Sequence, residues 1–162
     1  MTAKVGRDTS DRRAGRHMPF GFSLTARATE AGVRDLLSEC RARLEAGGVP
    51  RQYLGMVELV WAEALNNVVE HAYAEMAAGQ VSIEATVAHG QVLAHIRDNG
   101  LPFPGAEPPP GHLPSSDGEV ESLPEGGFGW FLIRDLCERV EYRREDGGNR
   151  LTLDIRLGTQ TT

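Results

Sequence analysis

The stretch Ala62–Tyr73, "AEALNNVVEHAY", reads as helix, yet two adjacent asparagines, Asn66 and Asn67, sit in its middle. Asparagine is a poor helix former because its side chain competes for nearby backbone groups. On a wheel of about 100° per residue, Trp61, Leu65, Val68, Val69 and Ala72 make an apolar side. Glu63, Asn66, Asn67, Glu70 and His71 fall opposite, and the i, i+4, i+8 spacing of Glu63, Asn67 and His71 predicts a row along one edge. The plain interpretation is the solvated face of an amphipathic helix. The chemical one is a carboxylate beside an amide oxygen. Such an oxygen suits Mg2+, which takes few protein ligands, and the carboxylate could accept a proton from a nucleophile held nearby.

Outward from this helix the pattern alternates between short strands and helices. "FGFSLTA" at Phe20–Ala26 alternates as a strand. Thr29 can cap a helix running to about Ala46, with Val33, Leu36, Leu37, Cys40 and Leu44 on one face, and Gly47-Gly48 ends it. Pro50 opens the second helix, expected to reach about Ala78. Gln80–Ala88 and Gln91–Asp98 read as strands about a His89-Gly90 turn, and Val140–Glu145 and Asn149–Leu157 as a closing hairpin around Asp146-Gly147-Gly148. Between the hairpins, Pro102–Pro124 holds seven of the nine prolines and the acids Glu107, Asp117, Glu119 and Glu121, so a regular helix or central strand is excluded there. Long segments of this kind are often lids. A glycine-rich turn then opens a third helix. The order β-α-α-β-β-lid-α-β-β predicts an α+β fold, a mostly antiparallel sheet with its helices gathered on one face.

Composition narrows the function classes. The chain has 162 residues, 40% hydrophobic and 25% charged, which suits one soluble domain. A net charge of −6 argues against general nucleic-acid binding. No apolar run approaches the about 20 residues of a membrane span. Cys40 and Cys137 lack metal-type spacing and read as buried reduced thiols, so a cytoplasmic location is expected. The expected organisation is a disordered basic head over 1–18, a folded domain over 19–158 with its lid at 102–125, and a polar tail over 159–162.

Two further stretches carry chemistry. In "IRDNGLPF", Asp98 ends a strand and Asn99-Gly100 invites a turn. This is either a polar strand terminus or a carboxylate that reads an exocyclic amine on a base. In "GGFGWFLI", Gly126, Gly127 and Gly129 let backbone N–H groups gather at a helix start, where phosphate binds. It is neither a Walker A loop, lacking Gly-Lys-Ser/Thr, nor a dinucleotide fingerprint. Trp130 and Phe131 continue the apolar stripe of Leu132, Ile133 and Leu136 and read as core packing rather than a stacking platform.

In this order the boxes resemble those of the Bergerat-fold (GHKL) ATPases, the superfamily of gyrase, MutL, the heat-shock chaperones and histidine kinases. More narrowly the chain is similar to the bacterial anti-sigma-factor serine/threonine kinases. "EALNNVVEHAY" resembles their Glu-Ala-x-x-Asn-x-x-x-His-x-Tyr box, "DNGLPF" their Asp-x-Gly box, and "EGGFGWFLI" their Gly-Gly-x-Gly-x-x-Leu-Ile box, over about Phe20–Leu157. The resemblance implies a two-layer sandwich with a mixed, mostly antiparallel sheet, binding ATP and Mg2+. It implies Glu63 as general base and Asn67 as metal ligand. Asp98 and Gly100 would receive the adenine, while Gly126, Gly127, Phe128, Gly129 and Trp130 would form the phosphate box. His71 would shape the pocket, and Asn66 would support it at most. The implied partners are an anti-sigma-factor antagonist as substrate protein and a sigma factor, exchanged by partner switching. A homodimer is implied by the resemblance alone, and neither direct nucleic-acid nor membrane binding is expected.

Two departures qualify the activity. The kinase branch often places an arginine before the glycine box, where this chain has Leu123-Pro124-Glu125, and Lys and Arg are absent from all of Pro102–Pro124. The alternative is therefore a nucleotide-binding regulatory module that sequesters a partner with little phosphoryl transfer. The family also tends to place Gly-Thr near its last strand, where this chain has Gly148-Asn149-Arg150.

Overall fold

The structure is a computed structural model that describes residues 18–111 and 127–158. The expected head over 1–18 therefore lies, but for Met18, outside the described residues, as do the tail over 159–162 and the lid from 112 onward. Five strands and three α-helices run β1 (Phe20–Arg27), α1 (Glu30–Ala46), α2 (Arg51–Asn67), β2 (Gln80–Ala88), β3 (Gln91–Asp98), α3 (Gly127–Leu136), β4 (Arg139–Glu145) and β5 (Gly148–Arg156). The strands form one sheet in the order β1-β2-β3-β5-β4. Every pairing is antiparallel, so the mixed sheet expected from the resemblance gives way to a purely antiparallel one among the described residues. Two of the four pairings follow from connectivity: β2–β3 and β4–β5 are tight hairpins, at whose turns His89, Gly90, Asp146 and Gly147 take positive φ.

Register decides the two faces of the sheet. Ile83 faces Ile96, which faces Leu151, and Ala85, Ala94 and Leu153 form the next row. These side chains are buried with Val33, Leu36 and Leu44 of α1, Leu54, Val57, Trp61 and Leu65 of α2, and Ile133 of α3. Burial of that apolar area is the main favourable term of the fold. The opposite face carries Glu84, His95, Arg97, Glu141, Arg143 and Arg150, and no helix covers it among the described residues. Thr29 caps α1 by accepting a bond from Gly32 N at 3.1 Å, and the helix closes with Gly47 N on the Arg43 carbonyl at 2.9 Å and Gly48 N on the Glu45 carbonyl at 3.1 Å.

One helical expectation needs correction. The second helix does not run to Ala78: it is α-helical to Asn67, then winds as a π-turn over Val68–Ala72. In the proline-rich segment, which holds no regular helix or strand among the described residues, Phe103–Ala106 closes a β-turn: Ala106 N donates to the Phe103 carbonyl at 3.0 Å, with Gly105 at φ 75° and Ala106 at φ 59°. Pro104 and Gly105 are its two central residues, Pro with its fixed φ and Gly with the positive one.

Candidate functional site

The helix α2 and the π-turn that follows it present their polar residues differently. Asn67 is not on the solvated side, as the wheel predicts, but is only 6% exposed. Its Nδ2 donates to the Glu63 carbonyl at 2.8 Å, one helical turn back, which leaves the amide oxygen without a donor among the described residues. Beyond Asn67 the i, i+4 spacing stops, because a π-turn carries an extra residue. The predicted row therefore ends at Asn67. His71 is half-exposed, 3.9 Å from a Glu70 carboxylate oxygen. Asn66 points away from Asn67, into a surface groove shared with Glu30, Arg34, Val69 and Glu70.

The end of the π-turn is pressed against the turn after β3. Leu101 N donates to the Ala72 carbonyl at 2.7 Å. A Cβ on Gly100 would lie 2.3 Å from that carbonyl oxygen, so only glycine fits. Tyr73 ties the same corner: its hydroxyl donates to the Gln80 carbonyl at 2.9 Å and accepts from Asn99 N at 3.0 Å.

Asp98 occupies the last position of the buried face of β3 and is only 7% exposed. Its Oδ1 accepts from Gly100 N and from Asn149 Nδ2, both at 2.8 Å. Among the described residues nothing donates to Oδ2. Burial pushes this carboxyl above the usual carboxylate range, while the Gly100 and Asn149 bonds and the Arg144 guanidinium act to lower it. Asn149 sits opposite Asp98 in the register, and Arg144 opposite Asn149, so three adjacent strands end in one polar row.

The third part is the first turn of α3. A Cβ on Gly129 would stand 2.4 Å from Glu63 Oε2, so the glycine is what lets that carboxylate rest against this turn. Trp130 is 1% exposed and packs edge-on against Phe103 at 5.3 Å between centroids, whereas Phe128 is 54% exposed and stacks on Phe131 at 6.2 Å. Gly127 begins the helix; Gly126 lies outside the described residues. The described part of the proline-rich segment is strapped to α3. Arg134 donates to the Pro109 and Pro108 carbonyls at 3.0 and 3.3 Å, and a Cβ on Gly111, at φ 67°, would stand 2.6 Å from Phe131 N.

The fold thus brings Glu63 to both Asn67 and Gly129, and links Asp98 to Gly100. It does not bring His71 into contact with them. Sequence reasoning quoted Tyr73 as the end of its first box without giving it a role, and it missed Phe103, Tyr142 and Arg144. The alternation of β4 could have placed Tyr142 and Arg144 on the buried face, but not beside Asp98, because that needs the strand order. Among the described residues no group of three or more His, Cys, Asp or Glu side chains could hold a metal. An ion bound by the one amide oxygen of Asn67, with phosphates and water completing its shell, is the mode the donor set allows.

Residues 26–155 match the family described as Histidine kinase-like ATPase domain. The chain belongs to that family. Within it, the chain is similar to the serine/threonine-protein kinase BtrW of Bordetella bronchiseptica, 32% identical over 91 residues that cover 56% of this chain and 62% of that one. It is also similar to the serine-protein kinase RsbW of Oceanobacillus iheyensis, 34% identical over 89 residues covering 52% and 54%. The chain spans between about half and three fifths of the length of these curated relatives. Its fold is that of a solved structure of the RsbU and RsbW domains of a Mycobacterium tuberculosis protein. There the TM-score is 0.59, at 22% identity over 85% of this chain and 32% of that one. This histidine kinase-like ATPase chain has no helix, among the described residues, long and apolar enough to cross a membrane.

Proposed function

We propose that the chain is an Mg-ATP-dependent protein kinase acting on a serine or threonine of an anti-sigma-factor antagonist, and that it holds a sigma factor in its unphosphorylating state. The observation that carries this is the placement of the Glu63 carboxylate against Gly129, one turn from the free amide oxygen of Asn67. Asn67 is the residue that would hold Mg2+, and the ion, when bound, neutralises phosphate charge. Asp98 would accept the exocyclic amine of the base, and the α3 N-terminus would receive the phosphates. Glu63 would take the proton of the substrate hydroxyl as its oxygen bonds the γ-phosphorus and ADP departs with the bridging oxygen. Partner switching then follows if the ATP and ADP forms differ in affinity for the two proteins.

One observation favours a second reading, a nucleotide-responsive binding module with little transfer. The arginines near the site are already engaged: Arg144 donates to the Gly100 carbonyl at 2.7 Å and to Asn149 Oδ1 at 2.9 Å, and Arg134 binds two lid carbonyls. Among the described residues neither arginine is thereby left to face the transferred group. Calorimetric titration with Mg-ATP and Mg-ADP, paired with a phosphoryl-transfer assay on the antagonist, separates the readings. A kinase loses transfer but keeps nucleotide in Glu63→Ala and loses both in Asn67→Ala. A pure binder shows no phosphoserine or phosphothreonine with either form. Absence of any nucleotide binding would overturn both.

A further inference from the structure

Asn149 is 8% exposed and has no hydrogen-bonding capacity left for a ligand. Its two amide hydrogens go to Asp98 Oδ1 at 2.8 Å and the Leu101 carbonyl at 2.9 Å. Its oxygen accepts from the Tyr142 hydroxyl at 2.6 Å and from Arg144 at 2.9 Å. Chemistry dictates this orientation, because the reversed amide would set its oxygen against a carboxylate and its NH2 against a guanidinium. The amide therefore acts on Asp98 rather than on anything bound. With Gly100 N it saturates Oδ1 from two directions, so the carboxylate cannot turn without losing both bonds, and Oδ2 is the oxygen left open.

Resting on the nucleotide reading above, we infer that Asn149, itself held by Tyr142 and Arg144, is a positioning residue for base recognition: it locks Asp98 so that a single fixed acceptor selects a 6-amino over a 6-oxo purine. A ring amino group donates to such an acceptor, whereas a 6-oxo group presents a second acceptor and leaves both unpaired. The same clamp reaches the lid, since Tyr142 also accepts from Phe103 N at 3.2 Å.

Asn149→Asp tests this without emptying the space. It would set a carboxylate in hydrogen-bond contact with Asp98, and the two can coexist only while sharing a proton. The charged and titratable groups facing that pair are Arg144 and Tyr142 from β4 and Tyr73 from the end of the π-turn. Dissociation constants for Mg-ADP and Mg-GDP are measured for both proteins across about pH 6 to about 8, and the variant-to-wild-type ratio at each pH cancels the nucleotide's own titration. Expected is an ADP ratio of about 100-fold at the alkaline end that shrinks about tenfold or more toward the acid end, where the shared proton replaces the amide hydrogen. Purine discrimination falls at the alkaline end and returns with the proton. Tyr142→Phe, which removes the hydroxyl bond to Asn149 and changes no charge at neutral pH, carries the test should the first variant not fold. It is expected to narrow the ADP-to-GDP preference by about 3-fold to about 10-fold with a pH-independent ratio. A pH-flat ratio in Asn149→Asp, or unchanged purine preference in Tyr142→Phe, overturns the inference and leaves the nucleotide reading standing. A wild-type chain that binds neither nucleotide overturns both.

Discussion

Asn67 shows what a helix gains from a residue with poor propensity. The cost of asparagine in a helix is about 0.7 kcal/mol or less. Here one end of the amide is satisfied by the Glu63 carbonyl, and the other has no donor among the described residues. Asp98 is the converse case, a carboxylate kept buried at a cost. Because its folded pKa lies above the ordinary 3.8, ionisation works against folding. That penalty is absent below 3.8 and fully present above the folded value, so it grows as pH rises. Asp98→Asn keeps an oxygen for both Gly100 N and Asn149 and carries no charge. The variant is expected to melt higher than wild type near neutral pH, with the gain fading as pH falls toward 4, while losing Mg-ADP binding by about 100-fold or more; paired thermal melts and titrations check it. Gly129→Ala separates placement from stability in another way. The new Cβ meets only the flexible end of Glu63, so the melting temperature is expected to hold while transfer to the antagonist drops by about 100-fold.

At the scale of elements, glycines with different neighbours should respond in opposite directions. Gly100 abuts the backbone of Ala72, which cannot give way without moving the π-turn. Gly100→Ala is expected to destabilise by about 1–3 kcal/mol in denaturant melts and to weaken nucleotide binding with it. Gly55 lies within α2 with nothing within 4 Å of an added Cβ. Gly55→Ala should therefore stabilise by about 0.5–1 kcal/mol, through helix propensity and a less free unfolded chain. The π-turn at Val68–Ala72 belongs to this scale too. It turns His71 outward and delivers the Ala72 carbonyl to Leu101 N, so one irregular turn joins the helix of Glu63 and Asn67 to the strand that ends at Asp98.

At the scale of the whole molecule, the uncovered sheet face has its own pH dependence. His95 bonds Thr152 at 3.0 Å and lies beside Arg150. Desolvation first, then Arg150, Arg97 and Arg139, hold its pKa below the ordinary 6.5, against the opposing pull of Glu84. A depressed histidine pKa means that the unfolded chain binds the proton better, so stability is fully present above 6.5 and declines as pH falls from 6.5 toward the folded value. Urea melts at stepped pH should show that acid-side decline, and His95→Gln should flatten it. The Asp98 effect has the opposite sign, so Asp98→Asn and His95→Gln separate the two. The thiols take no part near neutrality, since burial pushes both Cys40 and Cys137 up to about 12.

The element order, both hairpins, the Thr29 cap and the identity of the chemical boxes were legible in the sequence, because period-two alternation, turn residues and caps act over a few positions of chain. The α2 terminus was not, since nothing local distinguishes a π-turn from continued α-helix in "VVEHA"; the anchoring bond comes from Leu101, across the fold. Nor was the inward turn of Asn67, which depends on how α2 lies between the sheet and α3. Residues 98, 149 and 144 become neighbours only because β5 lies between β3 and β4. The polar residue types of the site are written locally, but the distances between them belong to packing, where strand order and register put separate parts of the chain within one hydrogen bond of each other.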